Sequence, residues 1–403
     1  MTALPLPQLD QAVAYVADHL GHVVEGEVAA SLRFTGGQSS ADAALAAFDV
    51  TGYAGKRNEV YPQPRRGASG LSPYIRHGLL TLREVWDHVE GGPARDVQKY
   101  RDELMWQEFA RHWYARLGTK TANGVRQDLY GQTNGDGWDR NMACVELPLD
   151  ELEEDGWLVN QTRMWLSSEW SVRRGVQWQE GEDYFFRHLL DGSRAANRLG
   201  WQWTVGVGSN KSYGFSRWQV EKRAKNLCAS CDLVLHCPIE EWPDDPAFSP
   251  TSQPVEITSA PSLAFAGPGS AEVNATPEAV WLTAESLGSS DPAMAAHPDL
   301  PVIFVFDEPL LASLQLSAKR LIFLTEALAE IGAQRELEVH LGRPADVLAD
   351  RSVAVTFAPV PGFTKRSAQI SPAVMHPWPW LMRPSAGSVS SFSAWKKSVK
   401  RPR

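Results

Sequence analysis

The sequence is poor in cysteine, has no long apolar run and is short of positive charge, and each shortage excludes something. Four cysteines in 403 residues cannot staple a fold of this size, so a disulfide scaffold is excluded and reduced thiols are expected. No apolar run approaches the roughly 20 residues that a membrane-crossing helix needs. The opening residues (MTALPLPQLDQ) lack the basic-then-apolar order of a secretory leader. A cytoplasmic monomer without membrane contact is the expectation. A formal net charge of -9 excludes a globally basic nucleic-acid binder, though not a local basic patch. The length implies two domains.

What the chain has in excess is tryptophan, 16 in all, of which eleven fall between Trp86 and Trp218. That crowded stretch reads as helical. Residues 100–116 set Leu104, Phe109 and Trp113 near one side with charges around them, and residues 157–173 and 180–190 follow the same rhythm. No β-alternation is evident before about residue 250. From Pro243 the composition turns to Pro, Ser, Ala and Gly, which is linker chemistry. Beyond it come short β-branched and aromatic runs at 279–282, 302–306, 337–341 and 353–357, with an amphipathic helix at 317–331. Strand, helix, strand at this spacing predicts a parallel sheet. The chain therefore divides into an all-helical part (1–245), a linker (246–277) and a C-terminal Rossmann-like α/β part (278–403), ending in a basic run, 396–403.

Two places suggest chemistry on residue grounds alone. Before Ser72 and Pro73, an expected N-cap and first helical position, Gly67, Ser69 and Gly70 let backbone N–H groups converge, which suits a phosphate. Arg163, if buried, needs a carboxylate, and Asp191 is available. The four cysteines form a third group. Cys228, Cys231 and Cys237 lie in one stretch (CASCDLVLHC) with Cys144 far upstream. Soft thiolates at this density suit an iron–sulfur cluster or tetrahedral zinc, free thiols being the plainer alternative.

Read in order, residues 33–218 resemble the flavin-binding helical domain of the DNA photolyase and cryptochrome family. The matching pieces are FTGG, Tyr53 with Lys56, Arg57 and Asn58, SGLSPYIRHG, ELMWQEF, GWLVNQTRM, QWQEGEDYFF and DGSRAANRLGWQW. The resemblance implies FAD as cofactor. Tyr53, Ala68, Ser69, Gly70, Leu71 and Ser72 would hold its diphosphate. Arg163 and Asp191 would pair beside its ring, with Asn197 opposite N5. Trp201 and then Trp178 would pass electrons. Glu103, Trp106, Asn160, Met164 and Trp203 match positions that line a pocket for cyclobutane pyrimidine dimers, where a flipped dinucleotide stacks on aromatic faces. Departures are Gln107 and Gln161 where the family carries arginine, Ser193 for an aspartate, and no tryptophan at the distal position, which leaves Trp113, Trp138 or Trp170 as the exit.

The cysteine pattern, with Pro238 after Cys237, is similar to the iron–sulfur bacterial branch of that family and implies a [4Fe-4S] cluster on Cys144, Cys228, Cys231 and Cys237. The runs AVWLTAESLGSSDPAM, PVIFVFDEPLL and LSAKRLIFLTEALAEI resemble the α/β domain that normally comes first in the family, so the chain looks circularly permuted. Glu285, Ser286 and Leu287 depart from the usual start of that domain, and the antenna chromophore stays unassigned. The implied function is a blue-light-driven photolyase acting on damaged DNA. The alternative is a cryptochrome-like photoreceptor or redox-signalling flavoprotein without repair activity, serving an unknown partner.

Overall fold

A computed structural model describes residues 1–133, 135–209 and 211–400; the last three residues of the basic run lie outside these. The helical part is built around Ala94–Leu117, a 24-residue helix whose Leu104, Phe109 and Trp113 are buried as the spacing requires. Arg194–Val205 packs against it, and Asn160–Ser167 and Trp178–His188 pack in turn on Arg194–Val205. The expected helix through residue 173 instead passes at Ser168 into a π-helical turn, Ser168–Arg173, a widening often found at functional sites.

The second layer is a seven-stranded mixed sheet. Five parallel strands, in chain order Ala279–Leu282, Val302–Asp307, Leu337–Gly342, Val353–Thr356 and Val374–His376, lie side by side as third, second, first, fourth, fifth. Ala279–Leu282 and Val353–Thr356 are buried throughout. Burial of both faces explains why they read as unbroken apolar runs.

Three differences from the sequence reading concern short strands, which carry too few residues for a period to show. Thr2–Leu4 pairs antiparallel with Leu337–Gly342, and the helix Ala12–Leu20 packs on Ala318–Gln334, so the first residues lie with the sheet. Phe248–Pro250 pairs with Gln127–Leu129, and Glu272–Val273 forms the far edge of the sheet. The stretch expected as a linker is therefore tied down at both ends.

The carboxyl end of the first strand, where the strand order reverses, is the usual ligand crevice of such sheets. Here the helix Ser72–Arg76 is docked on it. Arg76 pairs with Glu285 at 2.8 Å, and the two ring nitrogens of His77 lie 2.6 and 3.0 Å from the carbonyl oxygens of Ala284 and Leu190. A Cβ on Gly78 would stand 2.3 Å from the Glu285 carbonyl oxygen, so only glycine permits the approach. Arg320, 3% exposed, reaches from the sheet layer to donate to the Phe186 and Gly192 carbonyls at 2.9 and 2.7 Å. Burial, then the neighbouring Arg76, pushes its pKa down to about 9.

Candidate functional site

The loop over residues 67–71 curls as its glycines permit: Gly70 has φ +70°, and a Cβ on Gly67 would lie 2.7 Å from Lys56 Cβ. Ser72 is already helical and caps nothing. Its hydroxyl instead accepts from the Trp157 indole at 2.9 Å. Tyr100 donates to Ser69 at 3.1 Å and stands edge-on to Tyr53, 4.8 Å between centroids. Tyr100 thus links Tyr53 to Ser69, and Ala68, Gly70, the buried Leu71 and Ser72 adjoin Ser69 in the same loop.

Arg163 and Asp191 form the expected pair at 2.8 Å, and Arg163 Nε donates to the Leu158 carbonyl at 3.0 Å. Asn197 and Trp201 share one face of the Arg194–Val205 helix, being four residues apart. Three buried polar atoms here have no protein partner among the described residues: Asp191 Oδ1, Asn197 Nδ2 and Trp201 Nε1. Leaving such atoms unsatisfied costs roughly 1–3 kcal/mol each, so the cluster fits a polar ring system such as FAD that supplies the missing partners.

Trp201 is 2% exposed and wedged against Gly181, where a Cβ would stand 2.2 Å from Trp201 Cη2. Its ring neighbour is Phe185, at 5.2 Å. Trp178 is also buried, but no aromatic contact joins it to Trp201 among the described residues. Phe185 leads on to Trp138 at 6.1 Å, and Trp138 to Trp170 at 4.4 Å. Trp138 is half-exposed and donates to the Leu166 carbonyl at 2.9 Å.

The five residues expected to line a lesion pocket separate into two groups. Trp106 and Trp203 border one cavity together with Phe109, Trp113 and the segment 389–393. Glu103, Asn160 and Met164 do not line it; Glu103 pairs with Lys99 at 2.8 Å and Arg57 at 3.3 Å. Gln161 turns inward, donating to Tyr213 at 2.8 Å, so it could not replace a phosphate-facing arginine. Phe392, which sequence reasoning missed, lies flat on Trp106 with centroids 4.0 Å apart and planes 9° apart. Its signal in the sequence is an aromatic pair three residues apart, Phe392 and Trp395, just before the basic run.

All four cysteines line a second, apolar cavity and none is disulfide-bonded. Burial, then the other three thiols, pushes the Cys144 thiol far up. Burial and the nearby Glu221 push Cys228 up to about 11. Among the described residues, no three His, Cys, Asp or Glu side chains are gathered closely enough to hold a single metal ion. The π-helical turn borders this region: Arg173 donates to the Phe215 carbonyl at 2.7 Å and the Pro238 carbonyl at 3.3 Å.

Beside it Glu169 is 3% exposed, with one carboxylate oxygen unpartnered among the described residues and Arg174 3.8 Å from the other. Burial pushes its pKa up to about 7. A carboxyl raised in the folded state binds a proton that the unfolded chain has released, so stability falls as pH rises from the ordinary value of 4.5 to about 7. Glu169→Gln is expected to be more stable than the parent by about 3 kcal/mol near pH 8, the gain shrinking towards pH 5. Urea unfolding at the two pH values checks it; a constant difference would refute the assignment.

Residues 142–234 match the family model of the FAD binding domain of DNA photolyase, a stretch that contains Arg163, Asp191, Asn197 and Trp201. A deoxyribodipyrimidine photo-lyase of Synechococcus is 29% identical over 207 residues, 46% of this chain and 40% of its own. That of Vibrio cholerae is 30% identical over 165 residues, 36% and 34% of the two chains. That of Thermus thermophilus is 26% identical over 248 residues, 56% and 54%. The matched part thus spans from about a third to about half of these relatives' length. Among solved structures, a Synechocystis cryptochrome is similar at 21% identity and a TM-score of 0.44, over 50% of this chain and 46% of its own. A class III photolyase from Agrobacterium tumefaciens is similar at 23% and 0.41, over 54% and 46%. The family model and the relatives' sequences show similarity to DNA photolyases over part of the chain. No helix among the described residues is long and apolar enough to cross a membrane.

Proposed function

We propose that this chain is a blue-light-driven flavoprotein that splits cyclobutane pyrimidine dimers in DNA. The observation that carries the reading is the cluster of unpartnered buried atoms on Asp191, Asn197 and Trp201 beside the Arg163–Asp191 pair, inside the stretch that matches the flavin domain. FAD bound there supplies a light-excitable electron donor. Arg163, held by Asp191, and the Asn197 amide would contact the ring, and residues 67–72 with Tyr53 would hold the diphosphate. Trp201, buried and packed, would hand electrons inward, and Trp178 or the Phe185–Trp138 contact would continue the path outward. Trp106 and Trp203 offer the faces on which a flipped base stacks.

The remaining assignments belong to the same reading. The third-second-first-fourth-fifth strand order supports a Rossmann-like α/β domain placed after the helical one, hence a permuted chain divided near residues 245 and 278. The four thiols around one cavity support a [4Fe-4S] cluster, which is larger than one ion, with zinc as the alternative. One observation favours the photoreceptor without repair: Phe392 covers the face of Trp106.

Illumination of the purified protein with a dimer-containing oligonucleotide and a reductant separates these readings. Flavin absorption with loss of dimers is the expected result. Photoreduction with no dimer lost leaves the photoreceptor, and no flavin absorption sinks both. Trp201→Phe should retain flavin yet lose most of its photoreduction under steady light; an unchanged rate would remove Trp201 from the path.

A further inference from the structure

The cavity bordered by Trp106 and Trp203 is closed on one side by the chain itself. Phe392 lies parallel to Trp106 at 4.0 Å and edge-on to Phe109 at 5.9 Å. It is the first residue of the helix Phe392–Ser398, which begins after an irregular serine-rich run, residues 385–391. Its attachment is uneven. Trp395 is 1% exposed and donates to His112 Nδ1 at 2.8 Å, and Lys396 pairs with Asp102 at 2.8 Å. Phe392 itself is only half-buried, at the mouth of the cavity. The helix is thus anchored one turn beyond Phe392, and the run before it is tied by the Val389 N–H to the Ile257 carbonyl and by Arg126 to the Ser390 carbonyl, both at 2.8 Å. It is therefore the Phe392 ring alone, held by its contacts with Trp106, Phe109 and Trp395, that is free to turn.

A parallel ring at this spacing uses the area of Trp106 that an incoming base would use. We propose that Phe392 is a specificity-determining gate of this pocket: its ring must leave Trp106 before a pyrimidine dimer can stack there, while Trp395 keeps the helix in place. This rests on the lesion-binding part of the proposed function. The gate disfavours undamaged strands, because a base that remains stacked in a helix gains too little from Trp106 to displace Phe392.

The test is dark binding of a fluorescein-labelled single-stranded oligonucleotide carrying one thymine dimer, read by anisotropy. An aromatic pair contributes about 0.5–1.5 kcal/mol beyond its area, so Phe392→Ala should bind the probe roughly two- to tenfold more tightly. Phe392→Trp, which fills the site and keeps the helix packed, should bind more weakly than the parent. Equal or weaker binding by Phe392→Ala overturns the gate. Binding by none of the three proteins overturns it together with the lesion-binding reading. The visible flavin spectrum, measured on the same samples, shows separately whether the flavin reading stands.

Discussion

If the four thiols hold the proposed cluster, serine in place of Cys144 is expected to empty the cavity, taking bound iron from a full cluster to background and abolishing its charge-transfer absorption. Cys144 is the buried member of the four, on the helix Ala143–Asp155, and its thiol is pushed up by burial and by Cys228, Cys237 and Cys231. Four thiolates cannot share an apolar cavity without a cation to hold their charge. Metal binding must therefore release protons, and affinity must fall steeply as the medium is acidified. A serine hydroxyl in that place neither ionises nor offers a soft donor. Elemental analysis of the parent and the variant checks it. One zinc per chain in the parent would favour the tetrahedral alternative, and no metal in either protein would return the cysteines to free thiols.

The second large effect is expected from Asp191→Ala. Removing one partner of a buried ion pair costs about 3–5 kcal/mol, because the other charge stays behind unpaired. Here Arg163 would keep only the Leu158 carbonyl, and flavin should no longer copurify. A double variant, Arg163→Met with Asp191→Leu, removes both charges and should recover most of the stability without recovering flavin. Thermal unfolding and the visible spectrum measure the two effects independently. If the double variant retained flavin, the pair would be structural and not part of the ring's environment.

The elements that could be read from sequence were those with many residues per period. Ala94–Leu117 buries Leu104, Phe109 and Trp113 at helical spacing, and Ala318–Gln334 is buried on every side from Arg320 to Ala329 where one buried side is expected. Ala279–Leu282 and Val353–Thr356 are buried on both faces, so their apolar runs stand out. Thr2–Leu4, three residues long, has no period to detect, and its pairing with Leu337–Gly342 is a contact between the two ends of the chain. The Arg163–Asp191 pair was legible because a buried guanidinium needs a carboxylate. The fate of Trp106 was not, since Phe392 reaches it across nearly the whole sequence. Gln161 stands where the resemblance implies an arginine, and its hydrogen bond to Tyr213 depends on a loop that no local signal places there. Trp178 was expected to follow Trp201 directly, but ring contact is set by helix rotation, which spacing alone does not specify.

The short helix Ser72–Arg76 has two employers. Its first turn adjoins the loop proposed to receive the diphosphate, and its last residue, with His77, grips the sheet at Glu285 and Ala284. Whatever orders one end of so stiff a segment is felt at the other. A ligand in the loop would therefore be thermodynamically linked to docking of the two layers: it would tighten the seam between them, and a loosened seam would weaken the ligand by the same factor. The molecule would then respond to its cofactor as one body and not as two tethered ones.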